Sequence, residues 1–164
     1  MALDEEARRR IEAFRAEVEA SVARDGRYGA GRRFDREDAS TLATRFAAGD
    51  HCWFEVAVRP FVPQVRVAIL TDDRWKSEEM EQAIQDSGDT MSEFVGLGFE
   101  DAGLDWPEPP VEHYREGGTY FYFATPLDLE AISDLDRPDV RNRVLRMLEG
   151  YRLAFGPTLT AQEE

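Results

Sequence analysis

The stretch His51 to Leu70, HCWFEVAVRPFVPQVRVAIL, constrains the fold more than any other. Cys52, Phe54, Val56 and Val58 alternate with His51, Trp53, Glu55 and Ala57; Val65, Val67 and Ile69 then alternate with Gln64, Arg66 and Ala68. Period-two alternation rich in β-branched residues predicts two β-strands joined by a short Pro-containing bend. A lone hairpin is marginal in water, so the rest of the chain has to cover it.

Helices are the first source of cover. Leu3, Ala7, Ile11, Phe14, Val18 and Val22 share one helical face, with Asp4, Glu5 and Glu6 at the start and Gly26 after the end. This predicts a long amphipathic helix within residues 1–26. Its narrow stripe suits packing on the sheet, or service as an assembly arm against a second copy. The Gly-rich basic stretch Arg27 to Arg33, RYGAGRR, lacks the Gly-Lys-Ser/Thr ending of a phosphate-binding loop and follows no strand, so it reads as a connection. Asp35 to Ala48 reads as a second helix, with Ala39, Leu42, Ala43 and Phe46 on one face and Gly49 as its stop.

Beyond Leu70, Asp72 or Asp73 caps a helix carrying Trp75, Met80, Ala83 and Ile84, which bends or restarts at Asp89 before Met91, Phe94, Val95 and Leu97. Gly96, Gly98 and Gly103, then Pro107, Pro109 and Pro110, mark residues 96–110 as the longest irregular stretch. VEHYREGGTYFYFAT reads as a second hairpin turning at Gly117 and Gly118, with Tyr120 and Tyr122 on one face and Phe121 and Phe123 on the other. From Asp136 a terminal helix carries Val140, Val144, Met147, Leu148, Tyr151 and Phe155 on one stripe. Gly156 and Pro157 read as its end, and residues 157–164 as a frayed tail.

These elements predict one α+β domain over residues 1–164, with an antiparallel sheet of four or five strands and long amphipathic helices at both ends. The expected core holds Phe54, Val56, Val67, Ile69, Phe121, Phe123, Val144, Leu148 and Tyr151.

Charge narrows the functional classes. The chain carries a net −14, and residues 50–136 alone hold 20 acidic and 5 basic residues, a net of −15. Such a surface argues against nucleic acid, whose phosphates are bound by clustered Lys and Arg. It suits a basic protein partner, a mimic of nucleic acid, or the solvating surface of a halophile's protein. No apolar run approaches the roughly 20 residues that span a bilayer, and the charged start MALDEEARRRIEAF is unlike a signal peptide, so a cytoplasmic location is expected.

Catalytic chemistry finds little to work with. The only imidazoles are His51 and His113 and the only thiol is Cys52. Consecutive strand residues face opposite ways, so His51 and Cys52 cannot form a base and nucleophile pair. Asp72, Asp73, Glu78, Glu79 and Glu81 lack the spacing of a calcium loop and read as a solvated helix face. No cofactor or metal is expected, and an enzyme would need a carboxylate or histidine site assembled by the fold. Trp53, Tyr120 and Tyr122 are the candidate partner-binding residues, as period-two aromatics on the sheet face opposite Phe54 and Phe121.

Two segments carry a likeness to known proteins: Val65 to Leu70 running into the acidic helix, and TYFYFATPLDL leading to a terminal amphipathic helix. With these, residues 35–156 resemble the bacterial YbjN family and the similarly folded chaperones of type III secretion systems, whose order is α-β-β-β-α-β-β-α. The chain departs from that order in showing only two strands before the central helix and an extra long helix at the N-terminus. The resemblance implies a non-enzymatic, chaperone-like homodimer that binds an unfolded or extended segment of a protein partner. It transfers no individual site residue.

Overall fold

The structure, a computed structural model, describes residues 2–160. The first helix, α1 (Glu5–Asp25), is capped by the Asp4 carboxylate on the Ala7 N–H and stopped at Gly26 in the left-handed conformation. Four strands follow, β1 (Gly31–Asp35), β2 (Leu42–Ala47), β3 (Cys52–Arg59) and β4 (Gln64–Thr71). Next come α2 (Arg74–Ser87) and α3 (Met91–Asp101), and then the hairpin β5 (Glu112–Glu116) and β6 (Tyr120–Asp128). A short 3-10 helix, Ile132–Asp136, leads into α4 (Pro138–Thr160).

All six strands form one antiparallel sheet in the order β1-β2-β3-β4-β6-β5. The α+β class and both terminal helices are as expected, with more strands than the four or five predicted. The added strands come from residues 31–47, where the helix expected over Asp35 to Ala48 is absent. Residues 36–41 instead make a tight turn: Ala39 takes a positive φ of 61°, the Arg36 N–H donates to the Thr41 carbonyl, and the Ser40 N–H donates to the Asp38 carboxylate. Local Asx bonding of this kind competes with helix. Leu42, Thr44 and Phe46 then alternate onto the helix-covered face, opposite Val58, Val56 and Phe54.

The buried faces of all four helices join a single core with the sheet. Ile11, Phe14, Val18 and Val22 of α1, Met80 and Ile84 of α2, Val95 and Phe99 of α3, and Val144 to Phe155 of α4 pack on Phe54, Val56, Val67, Ile69 and Phe123. The α1 stripe is therefore satisfied within the chain. Its position is fixed by Arg15, a buried arginine in that stripe, which donates to both Asp35 carboxylate oxygens at 3.0 and 2.8 Å and to the Ala43 carbonyl.

Three further expectations are corrected. Phe121 is only half-buried beside the Arg115 guanidinium and lies outside the core, because it stands next to the β5–β6 turn, opposite Arg115 of the edge strand. Gly96 and Gly98 lie within α3, leaving a shorter irregular stretch, Ala102 to Val111. These glycines are contact points: a Cβ at Gly98 would stand 2.3 Å from the Gly150 carbonyl of α4, and one at Gly96 2.1 Å from the Pro107 carbonyl. Finally, α4 continues through Gly156 and Pro157 to Thr160, with Leu159 packed against the core. Of the expected tail, residues 161–164 lie outside the described residues.

Two stability measurements follow. Phe123→Ala should lose about 3–5 kcal/mol in urea unfolding, whereas Phe121→Ala should lose about 1 kcal/mol. Gly98→Ala should lose about 1–3 kcal/mol by overpacking. A loss below about 0.5 kcal/mol at Gly98 would show that α3 and α4 are not in backbone contact.

Candidate functional site

Among the described residues, the other face of the sheet carries no helix. Its apolar residues, Ala68, Leu70, Tyr122 and Ala124 with Trp53, Tyr114 and Tyr120 around them, form a second cluster to which no helix contributes. Trp53 and Tyr120, two of the three candidate partner-binding residues, meet here edge to face at 6.2 Å and are half-buried. Tyr122 is on the same face but fully buried, so it lies beneath any contact surface. Its strand is central, and the long side chains of its neighbours close over it.

Under those aromatics lies a polar network that sequence reasoning missed. Glu55 of β3, 0% exposed, accepts from Arg45 Nε of β2 at 3.0 Å, from Arg66 Nη2 of β4 at 3.0 Å and from the Tyr122 hydroxyl of β6 at 3.1 Å. Arg45 also donates to the Tyr122 oxygen, and Arg66 Nη1 donates to the Tyr114 oxygen at 2.6 Å. Rings cover both cations: Arg45 lies 4.5 Å from the centroids of Phe34 and of Tyr120, and Arg66 lies 4.9 Å from that of Tyr122. Burial opposes both guanidinium charges, yet Tyr122 and Glu55 around Arg45, and Glu55 with Tyr114 and Tyr122 around Arg66, hold both pKa values above the ordinary arginine value. Burial pushes the Tyr114 phenol up to about 12 and the Tyr122 phenol higher still, so both stay protonated, Tyr122 as a donor to Glu55 and Tyr114 as an acceptor from Arg66.

The signal was present as three charged residues, Arg45, Glu55 and Arg66, one on each of three neighbouring strands in otherwise apolar runs. Pairing them required the register, which places Arg45 opposite Glu55 and Ala57 opposite Arg66.

These contacts also show the sheet's shape. With strands about 4.8 Å apart, a flat sheet would put β1 and β5 about 24 Å from each other, beyond the reach of paired side chains. Yet Arg36, the residue after β1, donates to Glu116 of β5 at 3.1 Å. The sheet therefore curls toward its helix-free face, and the network fills the concavity.

Chemistry elsewhere is sparse. His51 Nδ1 meets the Asp72 carboxylate at 2.9 Å, and His113 bridges Glu81 and the Tyr122 carbonyl at 2.7 and 2.8 Å, but both carboxylates are solvent-exposed. Cys52 is buried, and burial pushes its thiol up to about 12. Among the described residues no cluster of His, Cys, Asp or Glu could hold a metal ion, and no helix is long and apolar enough to cross a membrane.

The sheet's two edges differ. β1 is exposed at all five residues, whereas β5 stacks His113 on Phe123 and Tyr114 on Tyr122. Beside β1 a groove of about 580 Å³ runs along α1, lined by Val22, Ala23, Tyr28, Gly31, Arg32 and Phe46 among others. The chain matches no family model, no curated protein and no solved structure.

Removing one member of the buried network leaves its partners uncompensated. Glu55→Ala should cost about 3–5 kcal/mol in urea unfolding, and replacing Arg45, Glu55 and Arg66 together by apolar residues should recover much of that loss. Equal losses for the single and triple variants would remove the charge explanation.

Proposed function

We propose that this chain is a non-enzymatic protein-binding module of chaperone-like type, which holds an extended segment of a protein partner. The observation that carries this reading is the β1 edge, exposed along its whole length and, among the described residues, paired only with β2. An open strand edge offers backbone donors and acceptors to an extended chain whatever its side chains, which suits a binder of unfolded segments. The element order, a helix, four strands, a helix pair, two strands and a helix, supports the likeness to the YbjN family and the secretion chaperones, with one strand and one central helix beyond that order.

The rival readings draw less support. A small enzyme would call for a histidine against a buried carboxylate, and both histidines instead meet exposed ones. A mimic of nucleic acid would need its acid on one face, but the acidic residues of 50–136 are dispersed over α2, α3, the loop after it, β5 and the approach to α4. The homodimer implied by the resemblance would use a surface other than the main stripes of α1 and α4, since both are buried within one chain.

The test is cross-linking in the cells that produce the protein, followed by mass spectrometry of the isolated complexes. One recurrent partner, cross-linked through residues near β1, is expected. Recovery as an uncross-linked monomer would remove the protein-binding reading.

A further inference from the structure

We infer that the β1 edge and its groove form a docking site for a partner segment that alternates acidic and apolar residues and adds to the sheet as a seventh strand. This rests on the protein-binding reading and specifies where the segment binds and what its chemistry is.

The backbone gives the geometry. The Arg36 N–H bonds to the Thr41 carbonyl and the Ala47 N–H to the Ala30 carbonyl, and these bonds flank β1 at either end. In an antiparallel ladder the bonding residues alternate, so Arg32 and Phe34 turn their backbone groups toward β2. Gly31, Arg33 and Asp35 turn theirs outward, ready for another strand.

The groove supplies an anchor point. Gly31 lies directly on Phe46: a Cβ there would stand 2.9 Å from the ring. Phe46 and Val22, both buried, form the groove floor, and the exposed Ala23 and half-buried Tyr28 give it an accessible apolar wall. A strand added to β1 places alternate side chains on this side of the sheet, where one apolar residue can enter the groove.

Charge selects the flanking residues. In a chain of net −14, residues 27–36, RYGAGRRFDR, hold four arginines and one aspartate. Three of these arginines are answered by carboxylates: Arg27 by Asp25 and Glu149, Arg33 by Glu12 and Glu19, and Arg36 by Glu116. Arg32 has no carboxylate partner among the described residues; its guanidinium lies 5.5 Å from the Phe34 ring, and it lines the groove. At physiological salt the Debye length is about 8 Å, so a carboxylate of a docked segment placed beside Arg32 senses that unanswered guanidinium more than charges farther away. The site therefore inverts the basic partner expected from overall charge.

The experiment uses the full chain, labelled with 15N, and a short peptide of alternating Asp and Leu with a central Phe as the probe. A peptide with Lys in place of Asp is the control. Binding of the Asp peptide should slow exchange of the Gly31, Arg33 and Asp35 amides about tenfold. Ala23→Arg, a change at an exposed position, should block the groove and abolish that protection. Arg32→Glu should shift the preference about tenfold toward the Lys peptide. Binding at Trp53 and Tyr120 without protection of β1 would overturn this site while leaving the protein-binding reading intact. So would equal binding of both peptides or no binding at all. Protection of β1 that grows with protein concentration, without peptide, would assign the edge to a second copy and overturn the inference.

Discussion

A fully buried carboxylate has to be met by donors, and Glu55 is met by three, from the strands on both sides of β3 and from the next strand beyond. The whole sheet answers to this requirement. Arg45, Arg66 and Tyr122 reach the same two oxygens only if β2, β4 and β6 hold their register and the sheet curls. An apolar filling of the concavity would tolerate a range of curvatures, whereas directional bonds to one carboxylate select one. The curl in turn brings Arg36 to Glu116, joining the two ends of the sheet on the helix-free side.

The helix-covered side is organised by a second ion pair, in which the arginine is buried and the carboxylate exposed. Arg15 sits among Ile11, Phe14 and Val18 on α1, where an apolar residue would be expected, and grips Asp35 at the end of β1. It ties the first helix to a strand that has little apolar surface of its own. β1 is thus held by its ladder to β2 and by ion pairs to α1, which leaves its outer edge free of structural duty. The exposed edge and the stable core are compatible because different interactions maintain them.

Legibility in the sequence followed burial. β3, β4 and β6 could be read because apolar residues recur at every second position, and α1 and α4 because theirs recur at three and four. β1 could not be read: all its residues are exposed, so GRRFD carries no alternation. β2 was hidden by a coincidence, since Ala39, Leu42, Ala43 and Phe46 also fit a helical face, and only the Asx turn at Asp38 distinguishes the two. Trp53 and Tyr120 were legible as surface aromatics. Tyr122 was not legible as a buried donor, because its role depends on Glu55, whose burial no local pattern records. Gly96 and Gly98 were misread as chain breakers for a related reason, as their purpose lies in residues about ten and fifty positions away.

The backbone contact between α3 and α4 has a consequence for motion. Packed helices usually slide by small shears, which the side-chain layer between them absorbs through changes of rotamer. Where Gly98 meets Gly150 that layer is missing, and Gly96 is pressed in the same way by the Pro107 carbonyl. Arg146 of α4 adds a bond to the Gly103 carbonyl in the connecting loop. With no compliant layer to take up a displacement, α3, α4 and the start of that loop move as one lever, and a shift of α4 across the sheet is transmitted to the loop undamped.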